Sequence, residues 1–441
     1  MAEILVNTNV QTNSTSSSSP IQSRFGPLNL NCEAGPSTTS PKSAVGREGW
    51  STLSGGVNET DNLKRHPDLW FDDGSIILKA ESTLFKVHIS QLARHSVIFR
   101  DMFAMPQPSG STPSSPTTAS FNHEDVDGAS CPTLEVYDSA EDLGNLLTAL
   151  YDGPTLGNND RDDFRAVSGI LRLASKYIID TLRVKALAHL SEAWPSSLRA
   201  WDMREDLSRV HEIQTGLHPG TRYPSPVTVI NLAREIDAPS LLPSAFYDLS
   251  RYQFHQILEA AEEDPLYDAS AASQPFLCLS DTQRLALGKE SAQQAITTLI
   301  QAMGHSQHIR HNYHRKSSSK SLGLTQGLSS SQPAVCVSAA ACRKDFSELV
   351  DLATQHYLFD RERGASDPLY VAEELGQLKS AEFSECVACA RSLENWAAKE
   401  REKLWKLISL WFRLEVSGAR LGEKGDRSSS PWASGSGLMS P

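Results

Sequence analysis

The sequence predicts an α+β domain followed by a mostly α-helical region, with disordered tails and linkers around them. Two short β-favouring runs, residues 76–78 and 84–88, are separated by a polar turn and indicate a β-hairpin. Apolar residues then recur at steps of three and four from Ile89 to Phe103, which is typical of one helix or two short consecutive helices. The pattern therefore changes from strand to helix within this stretch.

Composition limits the classes of protein to consider. The 39% hydrophobic content is low for a 441-residue chain that is ordered throughout. A net charge of -12 argues against nucleic acid as a general partner, since phosphate neutralisation needs a basic surface. The start of the chain does not resemble a secretory signal, and no run approaches the roughly 18 apolar residues of a membrane helix. With seven scattered cysteines, these features predict a protein of the cytoplasm or nucleus without a membrane partner.

The first domain continues after an insertion. Residues 105–130 are rich in Pro, Ser and Gly and predict a flexible loop. A strand follows around Leu134, and Ser139 with Asp142 three residues later predicts the capped start of a helix. A second helix carries an apolar stripe from residue 164 to 178, and we expect Asp180 to cap a third one.

The order of these elements, strand, strand, helices, strand and three helices, resembles the BTB/POZ domain. The whole chain resembles the BTB-domain proteins that are abundant in mushroom-forming (basidiomycete) fungi. The matching positions are Asp73, His88, Leu92, Ser96, Phe99, Phe103, Leu150, Tyr151, Leu171, Ala174, Tyr177 and Leu182.

The resemblance implies a three-stranded sheet capped by helices, used for self-association and for docking partner proteins. Some members of the family are adaptors that recruit substrates to cullin-type ubiquitin ligases, so a homodimer and a cullin-type scaffold are the partners to test. No folded segment is expected before His66. We interpret His88 as a packed structural histidine, Asp73 as a turn residue and Ser96 as the partner of a backbone carbonyl.

The second half of the chain reads as helices broken by turns. One predicted helix places Val229, Ala233 and Ile236 on one face, and a later one has Ser280 or Asp281 as its cap. We expect a groove of this region to hold a protein partner. The predicted boundaries are a disordered tail at 1–65, the α+β domain at 66–190, a helical region at 191–300, a low-complexity linker at 301–334, a C-terminal helical region at 335–416 and a disordered tail at 417–441.

Two groups of residues raise the question of a metal. The linker places His305, His308, His311 and His314 three apart among basic residues, where metal or nucleic-acid contact competes with a mobile polar linker, and we favour the linker. Four cysteines, Cys336, Cys342, Cys386 and Cys389, allow a structural zinc site, because Cys-x-x-Cys is a common half-site. The five-residue spacer of the first pair and the helical setting of Cys389 instead favour core cysteines, so no metal ligand is assigned.

The sequence therefore predicts a non-enzymatic protein that binds other proteins. It contains no P-loop, no Gly-x-Ser-x-Gly and no His-Glu-x-x-His, so we assign no catalytic residue, cofactor or small-molecule substrate. The alternative is a DNA-associated transcriptional regulator that uses the basic His-rich stretch or the C-terminal cysteines.

Overall fold

The computed structural model describes residues 63–105, 131–262, 264–267, 275–304, 336, 338–359, 363–378 and 386–414. These residues belong to one compact unit. A small mixed sheet lies near the beginning of the described chain, and a mostly helical region follows it. Within these ranges, no helix combines the length and the apolar character needed to cross a membrane.

The sheet has four strands in the order β1-β3-β2-β4. The strands are β1 (Lys64–Trp70), β2 (Ile76–Ala80), β3 (Thr83–Val87) and β4 (Thr133–Val136). Strands β2 and β3 form the predicted antiparallel hairpin, while β4 runs parallel to β2 and β1 runs parallel to β3. The hairpin and the strand around Leu134 are therefore confirmed.

The resemblance implied three strands, but the sheet has four, because β1 was not predicted. Four of its seven residues are charged or histidine, and Leu69 is its one buried residue. It lies at the edge of the sheet and contains Pro67, which a central strand would not accommodate. Such an edge strand has no alternation of apolar and polar residues that a sequence pattern could show.

Five helices pack with the sheet. They are α1 (Ile89–His95), α2 (Val97–Ala104), α3 (Ala140–Tyr151), α4 (Arg161–Lys176) and α5 (Asp180–Ala193). Ser139 caps α3 as predicted, and its hydroxyl accepts the Asp142 amide at 3.0 Å. The prediction for Asp180 is wrong by one residue, since Ile179 is the N-cap of α5 and Asp180 lies in its first turn. A carboxylate there still complements the positive end of the helix dipole.

The later helices continue the same core. They are α6 (Leu198–Thr215), α7 (Pro226–Glu235), α8 (Leu242–Ser250), α9 (Phe254–Leu258), α10 (Leu279–Gly304), α11 (Ala339–Tyr357), α12 (Pro368–Gln377) and α13 (Val387–Trp411), with a 3-10 turn at Pro239–Leu241. The cap prediction for α10 is wrong, because Ser280 and Asp281 both lie inside its first turn. Asp281 instead accepts hydrogen bonds from Arg234 and Arg284.

Apolar residues at steps of three and four between Phe383 and Leu414 predict one long helix, and α13 confirms it over the described part of that stretch. Of the apolar positions predicted to face the core, Leu404, Ile408 and Trp411 are buried, but the prediction is wrong for Val387, which is 57% exposed at the start of the helix. Phe383, the first residue of the predicted stripe, lies outside the described residues. One hydrophobic core runs from Leu69 to Phe412.

Candidate functional site

Three of the residues on which the BTB/POZ resemblance rests, Asp73, His88 and Tyr151, meet beside the hairpin. The Tyr151 hydroxyl accepts the backbone N–H of His88 at 2.9 Å and lies 2.8 Å from its ring Nδ1. His88 Nε2 is 3.2 Å from Asp73, and a hydrogen bond from this histidine lowers the pKa of the Asp73 carboxyl. Because both ring nitrogens are engaged, the geometry favours the structural role expected for His88. Asp73 does more than shape a turn, since it orients the imidazole.

Ser96 links the hairpin side of the domain to the end of α4. Its hydroxyl donates to the Tyr177 carbonyl at 2.6 Å, as predicted, and accepts the Phe99 amide at 3.1 Å, which caps α2. The Tyr177 hydroxyl donates in turn to Asp138. Both matching residues therefore serve the packing of the domain.

Helix α6 is unusual because its buried side carries an arginine and a serine beside a tryptophan. Its buried residues are Trp201, Arg204 and Ser208. The Arg204 guanidinium lies over the rings of Trp194, Trp201 and Tyr223, with distances of 4.4 to 4.8 Å from its Cζ to the ring centroids. Stacking against aromatic faces is favourable for a guanidinium that has lost its water.

Carboxylates complete the surroundings of this arginine. Arg204 Nη2 donates to Asp248 at 2.6 Å, and its Nη1 donates to Glu205 at 2.7 Å. Arg251 donates to the same two carboxylates. Burial on its own would raise the pKa of Glu205, but the charges of Arg251 and Arg204 outweigh it and lower that pKa to about 2. These pairs fix the rotation of α6 about its own axis.

A row of apolar side chains lies on the exposed side of α6. This row, called the outward face of α6, consists of Met203, Leu207, Val210, Ile213 and, just after the helix, Leu217; Asp206 and Arg209 are exposed on the same helix. Each apolar side chain of this row is at least half exposed, and Ile213 is 78% exposed. Helix faces of globular proteins ordinarily show the reverse arrangement, with the apolar stripe turned to the core.

The sequence prediction placed a partner groove within 191–300 but did not single out this helix. The signal was present as apolar residues at steps of four, three, three and four from Met203 to Leu217. Such a stripe normally indicates a core-facing side. The structure shows instead that the side of α6 that carries Arg204 is the buried one.

The four C-terminal cysteines meet at one point. Cys336 precedes α11 and Cys342 lies in its first turn, while Cys386 is the N-cap of α13 and Cys389 lies in its first turn. All four side chains are buried free thiols, and their sulfur atoms lie within 4.8 Å of one another. In the thiol form, burial raises the pKa of Cys342 to about 11. This cysteine cluster favours the metal alternative over unrelated core cysteines.

Two other predicted features cannot be placed. The histidines from His305 to His314 lie outside the described residues, as do residues 106–130 of the predicted insertion.

Comparison with protein-family models, curated proteins and solved structures finds no match to this chain. Function is therefore inferred from the fold and from the side chains themselves.

Proposed function

We propose that this chain is a non-enzymatic interaction protein whose copies associate through the outward face of α6. The observation on which the proposal rests is that α6 buries the charged Arg204 and exposes a row of apolar side chains to solvent. Exposed contiguous apolar side chains are typical of protein interaction sites. Helix faces with apolar residues at such steps pack against other helices.

The spacing of the outward face favours a second copy of the chain as the occupant. Leu207 and Ile213 lie three residues on either side of Val210, and Met203 and Leu217 lie seven residues on either side. In an antiparallel helix pair with its two-fold axis at Val210, Leu207 of each copy therefore meets Ile213 of the other, and the two Val210 side chains meet; Leu217 follows the left-handed Gly216 that ends the helix. Such self-complementarity is what a two-fold interface requires.

The buried ion pairs explain why α6 does not turn its apolar side inward. Turning α6 about its own axis to bury the side chains of its outward face would bring Trp201 into contact with water. It would also break the ion pairs of Arg204 with Asp248 and Glu205. Removing one partner from a buried pair typically costs about 3–5 kcal/mol. The outward face can lose water only by binding another surface.

The N-terminal region supports the same class of function. A hairpin, two short helices, a strand and three helices follow one another from β2 to α5, which is the order expected for a BTB/POZ-like domain. We propose that this region is BTB/POZ-like and docks protein partners. A cullin-type scaffold is one partner to test. In adaptors of the BTB/POZ family an apolar-x-Glu motif contacts the cullin, and the corresponding stretch of this chain is 105–130.

Sedimentation velocity of the full chain tests self-association. The wild type is expected to be a dimer, and Val210→Asp should weaken it by on the order of a hundredfold, because two carboxylates would face each other at the axis. Val184→Asp is the matched control, since Val184 is also an exposed helical valine, 64% accessible, but lies on α5. A monomeric wild type, or equal dimers in both variants, would overturn the proposal.

Two binding assays separate the remaining interpretations. Affinity capture of a purified cullin-type scaffold by the wild type would support an adaptor role, and failure to capture it would exclude that role. The alternative of a DNA-associated regulator predicts binding to duplex DNA that survives physiological salt. The buried position of the cysteine cluster gives that alternative no support.

A further inference from the structure

The cysteine cluster is not used by the proposed interaction surface. It joins two places that are far apart in sequence, the start of α11 and the start of α13. We propose that Cys336, Cys342, Cys386 and Cys389 bind one structural Zn²⁺. The proposal does not depend on self-association through α6.

The sulfur geometry fits a tetrahedral tetrathiolate ion. Zinc–sulfur bonds of about 2.3 Å place the sulfurs of such a site about 3.8 Å apart. Cys336 Sγ lies 3.6 Å from Cys342 Sγ and 3.7 Å from Cys389 Sγ, and all four sulfurs lie within 4.8 Å of one another. The four ligands thus already surround a common centre.

A zinc site accounts for this arrangement of the sulfur atoms better than disulfides or ordinary core packing do. A disulfide would bring two sulfurs to about 2.05 Å and would separate the cysteines into pairs. Here Cys336 is about equally far from Cys342 and Cys389. Core cysteines pack against apolar groups in general and have no reason to direct four sulfurs to one point.

The local structure is suited to holding thiolates. Cys386 and Cys389 occupy the N-cap and first turn of α13, and Cys342 lies in the first turn of α11. Helix N-termini carry partial positive charge, which stabilises an anionic sulfur. From the sequence alone, the helical setting of Cys389 argued against a zinc site. In the structure this setting is compatible with a zinc site.

The ligand set indicates a structural role for the ion. Four protein ligands fill the coordination sphere and leave no position for water or substrate. The ion would fasten the start of α11 to the start of α13 across 53 residues of sequence between Cys336 and Cys389. Zinc should therefore stabilise the C-terminal helices and leave the sheet unaffected.

Metal analysis of the full chain by inductively coupled plasma mass spectrometry tests the site. We expect about one equivalent of zinc per chain. The double variant Cys386→Ser with Cys389→Ser should lose it. The control Cys131→Ser with Cys278→Ser should retain it, because those two free cysteines lie outside the cluster. Less than about half an equivalent in the wild type, or zinc that the double variant retains, would overturn the proposal.

A second measurement keeps the test decisive if the double variant does not fold. Wild-type protein exchanged into Co²⁺ should show the strong visible and charge-transfer bands of a tetrahedral tetrathiolate site. Removal of the metal should speed amide exchange in α11 and at the start of α13 by about tenfold or more, with no change in β2 and β3. Absent cobalt bands, or intact-mass evidence of disulfides among the four cysteines, would contradict the site.

Discussion

The sheet region and the region around α6 and α8 are held together by different forces. The interior beside β2 and β3 is filled with aliphatic and aromatic side chains such as Ile76, Leu78 and Phe85, all fully buried. Around α6, by contrast, Arg204 and Asp248 are at most 4% exposed. The first interior is stabilised by removing apolar surface from water, and the second also depends on keeping every buried charge paired.

This difference should govern how each region responds to change. An apolar core loses stability through cavities and overpacking and is insensitive to pH. A paired ionic core loses stability when one partner is removed or neutralised. The following experiments compare the two regions, beginning with the largest expected effect.

Asp248→Ala should be the most damaging substitution. It removes one of the two carboxylates that Arg204 and Arg251 share and leaves Glu205 alone between them, and we expect a loss of about 3–5 kcal/mol in the free energy of unfolding. Urea denaturation provides the measurement. Asp206→Ala is the control, because its pair with Arg209 is largely exposed and should contribute no more than about 1 kcal/mol. Similar losses of unfolding free energy in both variants would show that the buried ion pairs stabilise the fold no more than the exposed pair does.

Acid should selectively weaken the region around α6. The pKa of Glu205 is lowered from 4.5 to about 2 in the folded chain, so the folded state binds fewer protons than the unfolded state between these values. Its contribution, roughly 3 kcal/mol, is complete above pH 4.5 and is lost as the pH falls towards 2.

Glu205→Gln isolates that contribution. Urea denaturation of the variant and the wild type at pH 7 and pH 3 should show a smaller acid effect in the variant. An equal loss of stability in both proteins on acidification would contradict the assigned role of Glu205.

Two glycine substitutions should have opposite effects. A Cβ at Gly288 of α10 would lie 1.9 Å from the ring of Phe412, which is fully buried, so Gly288→Ala should cost about 1–3 kcal/mol. At Gly144 of α3 the nearest atom, on His66, would be 3.6 Å away, so Gly144→Ala should stabilise by about 0.5–1 kcal/mol. Thermal unfolding of both variants checks the sign of each effect, and a stabilised Gly288→Ala would refute this packing of α10.

Tyr151→Phe should cause only a small loss of stability. It removes the hydroxyl that accepts the His88 amide, and we expect a loss of about 1 kcal/mol from the sheet region. Urea denaturation measures the loss. An unchanged free energy of unfolding would mean that a water molecule accepts the His88 amide in place of the hydroxyl.

The sequence allowed the hairpin, β4 and the capped start of α3 to be predicted because each has a local pattern. Strand β1 escaped prediction because an edge strand with polar residues has no such pattern. The pair of Arg204 with Asp248 joins residues 44 apart, and no local rule identifies such a partner. The spacing of the cysteines left zinc and core packing as alternatives, since their sulfurs meet only through the packing of α11 and α13.

Site-specific cross-linking at Val210 tests most directly the claim that α6 turns its apolar side outward to bind a second copy. In a Cys32→Ser, Cys131→Ser, Cys278→Ser background, which keeps only the four cysteines of the cluster, Val210→Cys should form a covalent dimer under mild oxidation, because the two-fold axis brings residue 210 of both copies together. Val184→Cys should remain monomeric on a denaturing gel. Absence of a covalent dimer at position 210, or equal cross-linking at both positions, would contradict the claim.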